Sequence, residues 1–301
     1  MNDYLVRALT ENEEIRAFAV TARNLVEEAR KIHDNSPIAI AALGRTLSAA
    51  LIMGDMLKSE KDLITIHIQG DGPLKQVLAT ANNKGEVKGY VSNPEVILPP
   101  NAAGHLNVGG AIGKGVLTVI KDYGLKEPYV SQVRLVTGEI AEDLTYYFAQ
   151  SEQTPTAIGL GVLLNKDVMI NQAGGFLIQL MPHASEKTVS TLEDNLKKFH
   201  SVTDVYRQGK TPEDLLSILL SGLGVQFLER KEVRFACHCS KEKGLQALAT
   251  LGTQTLKEIV EEGKEQEVSC EFCGKKYVYG KDDIQSVLSA LEKNQKEKGA
   301  K

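Results

Sequence analysis

No cysteine precedes residue 237, there is no excess of basic charge, and no apolar run of membrane length is uninterrupted. Each absence excludes something. A net charge of -4 and a pI near 5.9 argue against general attraction to nucleic acid or to an anionic membrane. The opening MNDYLVRALTENEE mixes charges of both signs and lacks the apolar core of a signal peptide. The longest apolar stretch, SPIAIAALGRTLSAALIMGD, is broken by Gly44 and Arg45 and predicts a buried helix rather than a span. A cytoplasmic protein is expected, and cytoplasmic thiols are kept reduced. Internal repeats are absent, and the polar tail EKNQKEKGAK is the one biased segment.

What is present is enough for a sizeable core. The 301 residues are 42% hydrophobic, which suits one large domain or two smaller ones. The first part reads as mixed helix and strand. DYLVRALT and EIRAFAVT have strand composition, and Ser36 with Pro37 marks a helix start. DLITIHIQG alternates as a strand, KQVLATA and EVKGYVS flank an NNKG turn, and KGVLTVIKDYG pairs with YVSQVRLVTG. A helix follows in EIAEDLTYYFAQSEQ, then two long buried strands in TAIGLGVLLN and VMINQAGGFLIQLMP. After Pro182 the pattern turns helical to about Arg230, with no strand expected there. Val189, Leu192, Leu196 and Phe199 recur at helical spacing, and Thr211 and Pro212 open a helix carrying Leu215, Leu216, Leu219 and Leu220.

All four cysteines, Cys237, Cys239, Cys270 and Cys273, fall in the last quarter of the chain. In a reducing compartment such clustering reads first as a metal site. CEFCGKKY is a zinc-knuckle pattern, in which two thiolates spaced by two residues share a tetrahedral ion and glycine eases the turn. The CHC pair requires a tight bend. Thirty residues separate Cys239 from Cys270, room for two short helices, the first capped by Ser240 and the second by Thr253 and closed by Gly263. One Zn2+ held by the four cysteines is the reading, because the spacing fits neither ferredoxin pattern. His238 is read as a spacer. The plainer alternative is a zinc that only staples a small domain. Against it, Lys231, Arg234, Lys241, Lys243, Lys275 and Lys276 lie close in sequence and can offset thiolate charge. The two cysteine pairs are also spaced to oxidise locally. Structural zinc is worth about 10–16 kcal/mol of apparent binding free energy. A disulfide closing so short a loop contributes about 1.5–2 kcal/mol. Oxidation should therefore melt the module rather than lock it.

The C-x-C and C-x-x-C pairs, together with TGEIAEDLTYYFAQSEQTPTAIGLGVLL, AGGFLIQLMPHA, FACHCSKEKGLQALATLG, GDGPLKQV, NPEVILPP and EVSCEFCGKKYVY, resemble the redox-regulated thirty-three-kilodalton heat-shock chaperones of bacteria. The signatures run from about residue 70 to 290. Arg134 and Thr137 depart from the family pattern, where Pro and Ser are expected, and neither bears on the thiols. The resemblance implies an α+β protein: a mixed α/β N-terminal domain, a helical linker and a small C-terminal zinc-binding redox domain. On this chain the divisions fall at 1–184, 185–230 and 231–290, with a polar tail at 291–301. It implies a holdase needing no ATP, inactive when reduced and zinc-bound. Oxidation would form Cys237–Cys239 and Cys270–Cys273, release zinc, unfold the linker and give a homodimer. That form would hold unfolded client proteins and pass them to ATP-dependent chaperones. Val189, Leu192, Leu196, Phe199, Leu215, Leu216, Leu219 and Leu220 are the candidate client-binding residues, and ordinary core is the alternative for them.

Other functions are less well supported. NVGGAIGKG lacks the spacing of a phosphate loop and the hydroxyl after Lys114, and precedes a strand rather than a helix. Glu139, Glu142 and Asp143 are accounted for by a helix N-terminus. No Ser/His/Asp or Cys/His arrangement emerges, so an enzyme is not expected. A zinc-ribbon nucleic-acid binder is opposed by Glu258, Glu261, Glu262, Glu265 and Glu267, and neither a membrane nor a specific nucleic acid is expected as partner.

Overall fold

The structure of the chain, a computed structural model, describes residues 2–299. In chain order its first elements are β1 (Tyr4–Thr10), β2 (Ile15–Thr21), α1 (Arg23–His33), α2 (Pro37–Asp55), β3 (Leu63–Gly70), β4 (Gln76–Asn82) and β5 (Glu86–Val91). Next come α3 (Val108–Ile112), β6 (Gly115–Asp122), β7 (Tyr129–Arg134), α4 (Ala141–Gln150), β8 (Thr156–Leu164) and β9 (Ile170–Leu180). Then follow α5 (Glu186–Lys198), α6 (Val202–Arg207), α7 (Pro212–Leu219), β10 (Val225–Glu232) and β11 (Arg234–Phe235). The chain closes with α8 (Lys241–Ala249), α9 (Thr253–Glu262), β12 (Gln266–Ser269), β13 (Lys276–Tyr279) and α10 (Lys281–Gly299). They form two compact units, residues 1–236 and 237–301.

In the first unit α2 lies between two sheets. One has strand order β10-β1-β2-β9-β8, the other β11-β5-β4-β3-β6-β7, and α2 packs on strands of both. That placement explains its composition: every residue of α2 except Pro37 and Arg45 is buried. By length and apolarity it could cross a membrane, yet its apolar surface is spent inside the protein, as the sequence predicts. Ser36 caps it, accepting from the Ala39 amide at 3.3 Å. The expected hairpins form, β4 with β5 and β6 with β7. The segment NVGGAIGKG contains α3, a single short helix capped by Asn107, before β6 begins. The glycine-rich sequence predicts no helix there. Asp143 at the start of α4 is buried and accepts the amides of Val136, Thr137 and Ile140, a structural duty.

The outer face of the five-stranded sheet is covered by α5, α6 and α7. Leu192, Val202, Tyr206, Leu215, Leu216, Leu219 and Leu220 pack there on Val6, Ala8, Ala17, Ala19, Phe176 and Ile178. Polar contacts add to this layer. The Tyr206 hydroxyl donates to the Val20 carbonyl at 3.0 Å, and Tyr4 donates to Glu213 at 2.8 Å. Thr211 and Asp214 form the capping box that opens α7.

Residues 185–230 are not wholly helical. Gly222 and Gly224, at φ +81 and +65, end the helical run, and β10 then pairs antiparallel with β1. Residues 231–236 also stay with the first unit, since β11 runs parallel to β5. Nor is the segment after residue 290 only a tail: α10 runs on to Gly299, while Ala300 and Lys301 lie outside the described residues.

Candidate metal centre

The second unit is small and thinly cored. Leu248, Leu256, Tyr279, Ile284 and Leu288 are its buried hydrophobics among the described residues. Ser240 caps α8 by accepting from Lys243 N at 3.3 Å, and the Tyr279 hydroxyl closes the same turn on the Lys241 carbonyl at 3.0 Å. Gly263 ends α9 in the left-handed conformation as expected, but its N-cap is Gly252 and Thr253 is the first helical residue. β12 and β13 pair antiparallel and hold the knuckle between them. There the amides of Cys273 and Gly274 turn back on the Cys270 carbonyl at 3.3 and 2.8 Å, with Gly274 at φ +68.

This scaffold brings the four sulfurs together. The Sγ atoms of Cys237, Cys239, Cys270 and Cys273 all lie within 4.8 Å of one another, and none is in a disulfide. Cys237 and Cys270 approach to 3.7 Å and Cys239 and Cys273 to 3.4 Å. Four sulfurs about 2.3 Å from one ion at tetrahedral angles lie about 3.8 Å apart. The donor set therefore fits a single tetrahedral metal. His238 is exposed and stands outside the group, and its carbonyl accepts from Lys243 Nζ at 2.6 Å.

The thiols differ in their surroundings. Burial, reinforced by hydrogen bonding with the other thiols, pushes Cys237 up to about 12. Burial also raises Cys273. For Cys239, burial acts the same way but is outweighed by hydrogen bonds from Tyr277 and the other cysteines, which bring it to about 7. The Tyr277 hydroxyl donates to Cys239 Sγ at 3.2 Å. Nothing in the sequence pattern names this contact, although KYVY alternates and places Tyr277 and Tyr279 on the inward face of β13.

The six cations close to the cysteines in sequence are divided between the two units. Lys231 is bound to Asp55 and to the Asn83 carbonyl, and Arg234 to Glu86, all within the first unit. Lys241 pairs with Asp283 at 2.8 Å and Lys276 with Glu267 at 2.8 Å. Lys275 stands over the Tyr277 ring. The cations near in sequence are mostly committed to carboxylates.

The apolar residues singled out between 185 and 230 lie in the first unit. Leu192, Leu215, Leu216, Leu219 and Leu220 are buried, while Leu196 and Phe199 are half-buried against the same cluster. Val189 is half-buried and outside it.

Known proteins decide the family. The family model described as Hsp33 protein matches residues 3–280. The chain belongs to the Hsp33 family. Two curated Hsp33-like relatives are named 33 kDa chaperonin. That of Clostridioides difficile (strain 630) is 49% identical over 292 residues, covering 97% of this chain and 100% of its own. That of Agathobacter rectalis is 51% identical over 287 residues, covering 95% of this chain and 100% of its own. The crystal structure of the 33 kDa chaperonin (HSP33) from Thermotoga maritima superimposes with a TM-score of 0.88 at 38% identity, over 97% of this chain and 100% of that one. The Hsp33 family is a family of chaperones, not of enzymes.

Proposed function

We propose that this chain is a redox-regulated, ATP-independent holdase of the cytoplasm that prevents aggregation of unfolded proteins under oxidative stress. The gathering of four thiols in a unit with only five buried hydrophobics among its described residues supports this reading most directly. Cys237, Cys239, Cys270 and Cys273 would hold Zn2+, which when bound neutralises thiolate charge and cross-links the small unit. Oxidation then removes the ligands. With peroxide, one thiolate takes an oxygen to give a sulfenic acid, and its neighbour displaces water as the disulfide closes. Each disulfide consumes one two-electron oxidant. Two of them, Cys237–Cys239 and Cys270–Cys273, leave no ligand.

The energies favour unfolding at that point. Two short-loop disulfides contribute about 1.5–2 kcal/mol each, against about 10–16 for the zinc site. Residues 185–230 run by way of β11 into Cys237, so this segment is the linker whose release follows. Leu192, Leu196, Phe199, Leu215, Leu216, Leu219 and Leu220 lie against the outer face of the sheet while the layer is folded; once released, they and Val189 join the uncovered face as the client-binding surface. An oxidised homodimer would hold clients and pass them to ATP-dependent chaperones.

Light scattering from a chemically unfolded client tests the reading. The zinc-loaded reduced protein is compared with protein treated with hypochlorite, or with peroxide at raised temperature. Suppression only after oxidation is expected. Equal suppression in both states would make the zinc structural and the chaperone constitutive. No suppression in either would remove the holdase.

A further inference from the structure

The first unit carries a groove that this function leaves unused. Two cavities, of about 370 Å³ and 580 Å³, share Arg16, Met56, Leu57 and Lys58 in their walls, beside the C-terminal end of α2. The walls carry five cations, Arg7, Arg16, Lys58, Lys121 and Lys231, against four carboxylates, Asp55, Asp62, Glu152 and Glu229.

Most of these charges are already satisfied. Arg7 and Lys231 both pair with Asp55, and Lys121 pairs with Glu152 at 2.6 Å. Asp62 accepts the Ser59 amide at 3.0 Å. Arg16 is different. It is half-buried on β2, and its Nε donates to the neutral amide oxygen of Gln179 at 2.7 Å. Among the described residues its two Nη groups have no hydrogen-bond partner, and no carboxylate pairs with it. Burial first, and then the like charge of Arg7, hold its guanidinium below the usual range. A partly desolvated cation beside another cation is unfavourable, and a counter-ion at its free Nη groups relieves that cost. Lys58 is exposed at the shared wall and likewise has no ion pair among the described residues.

We propose that this groove binds an oxyanion of the phosphate class, gripped by the free Nη groups of Arg16 and approached by Lys58. A guanidinium fork matches two phosphate oxygens, which an ammonium cannot do. Met53, Met56, Leu57 and Phe148 in the adjoining wall suit an organic group carried by the phosphate.

Isothermal titration of the reduced, zinc-loaded full chain with inorganic phosphate and with adenosine monophosphate, at matched ionic strength, tests this. Saturable binding is expected. Arg16→Gln should weaken it roughly 10- to 100-fold, the loss of a charge-assisted pair. Lys58→Gln should weaken it less, and Lys166→Gln, outside the groove, should leave it unchanged. Tighter binding of the nucleotide would identify an ester as the ligand, and equal binding the free ion; either sustains the site. Should Arg16→Gln fail to fold, Arg16→Lys, which keeps the charge and loses the fork, must still weaken binding several-fold. Absence of binding by both probes, binding untouched by the Arg16 and Lys58 substitutions, or an equal loss in Lys166→Gln would overturn the proposal.

Discussion

Tyr277→Phe removes one hydroxyl and leaves the ring, so it isolates the hydrogen bond to Cys239. Partners that orient a ligand from outside the coordination sphere typically cost tenfold or more in metal affinity when lost. Zinc affinity, read by competition with a chromogenic chelator, is expected to fall about tenfold; unchanged affinity would mean the contact orients nothing. Glu27 offers a second residue-scale test, in the first unit. Its carboxylate accepts Arg30 at 2.8 Å and the Ile170 amide at 3.0 Å, and the Arg30 hydrogen bond leads in drawing it from 4.5 down to about 2. A depressed folded pKa gives stability that is present above the unfolded pKa and is lost as pH falls through the folded one. Glu27→Gln should therefore cost about 1–2 kcal/mol at pH 7, with the difference from wild type closing between pH 4.5 and about 2. Urea unfolding across that range checks it, and a difference that persists at the acid end would assign the loss to packing. The clustering of the four cysteines was legible at this scale because metal-ligand patterns are set by residue type and spacing. Tyr277 was readable only through strand alternation, and Arg16 not at all, because its isolation depends on Gln179, which lies far along the chain.

At the scale of elements, the layer formed by α5, α6 and α7 is the part whose role depends most on how firmly it is held. Leu219 is fully buried in it. Leu219→Ala should cost about 2–5 kcal/mol through lost transfer energy and the cavity left behind. Hydrogen exchange should then quicken across 185–230 more than across α2. Uniform quickening would mean the layer and the sheets unfold as one. The harsher set of Leu216, Leu219 and Leu220 to Ser tests the client-binding role, since undiminished client binding by a folded, oxidised variant would sink it. The helices of this layer were legible from apolar spacing and from caps such as Thr211 with Pro212. The strand β10 was not. Its residues are mostly exposed and do not alternate, because it is an edge strand, and its partner β1 lies more than 200 residues away. The helix α2 was legible as buried, yet nothing in its own sequence says that two sheets cover it.

For the whole molecule, the division into residues 1–236 and 237–301 makes withdrawal of the proposed zinc a selective perturbation. The first unit has its own extensive core around α2. The second has five buried hydrophobics among its described residues, fewer than a domain of its size needs to stand alone. On the proposed zinc reading, its remaining cohesion comes from the four thiols acting through a shared ion, worth about 10–16 kcal/mol where such sites have been characterised. A strong chelator under reducing conditions is thus expected to abolish exchange protection in 241–290 while 37–55 stays protected. Disulfides cannot form in that experiment, so it separates loss of metal from oxidation. If the chelated, reduced protein also suppresses client aggregation, losing the ion is sufficient for activation and the disulfides serve to keep it away. If it unfolds the second unit without suppressing aggregation, the disulfides themselves are required to release residues 185–230. Retained protection in 241–290 after complete metal removal would instead show that the small core is self-sufficient, and the switch would lose its energetic basis.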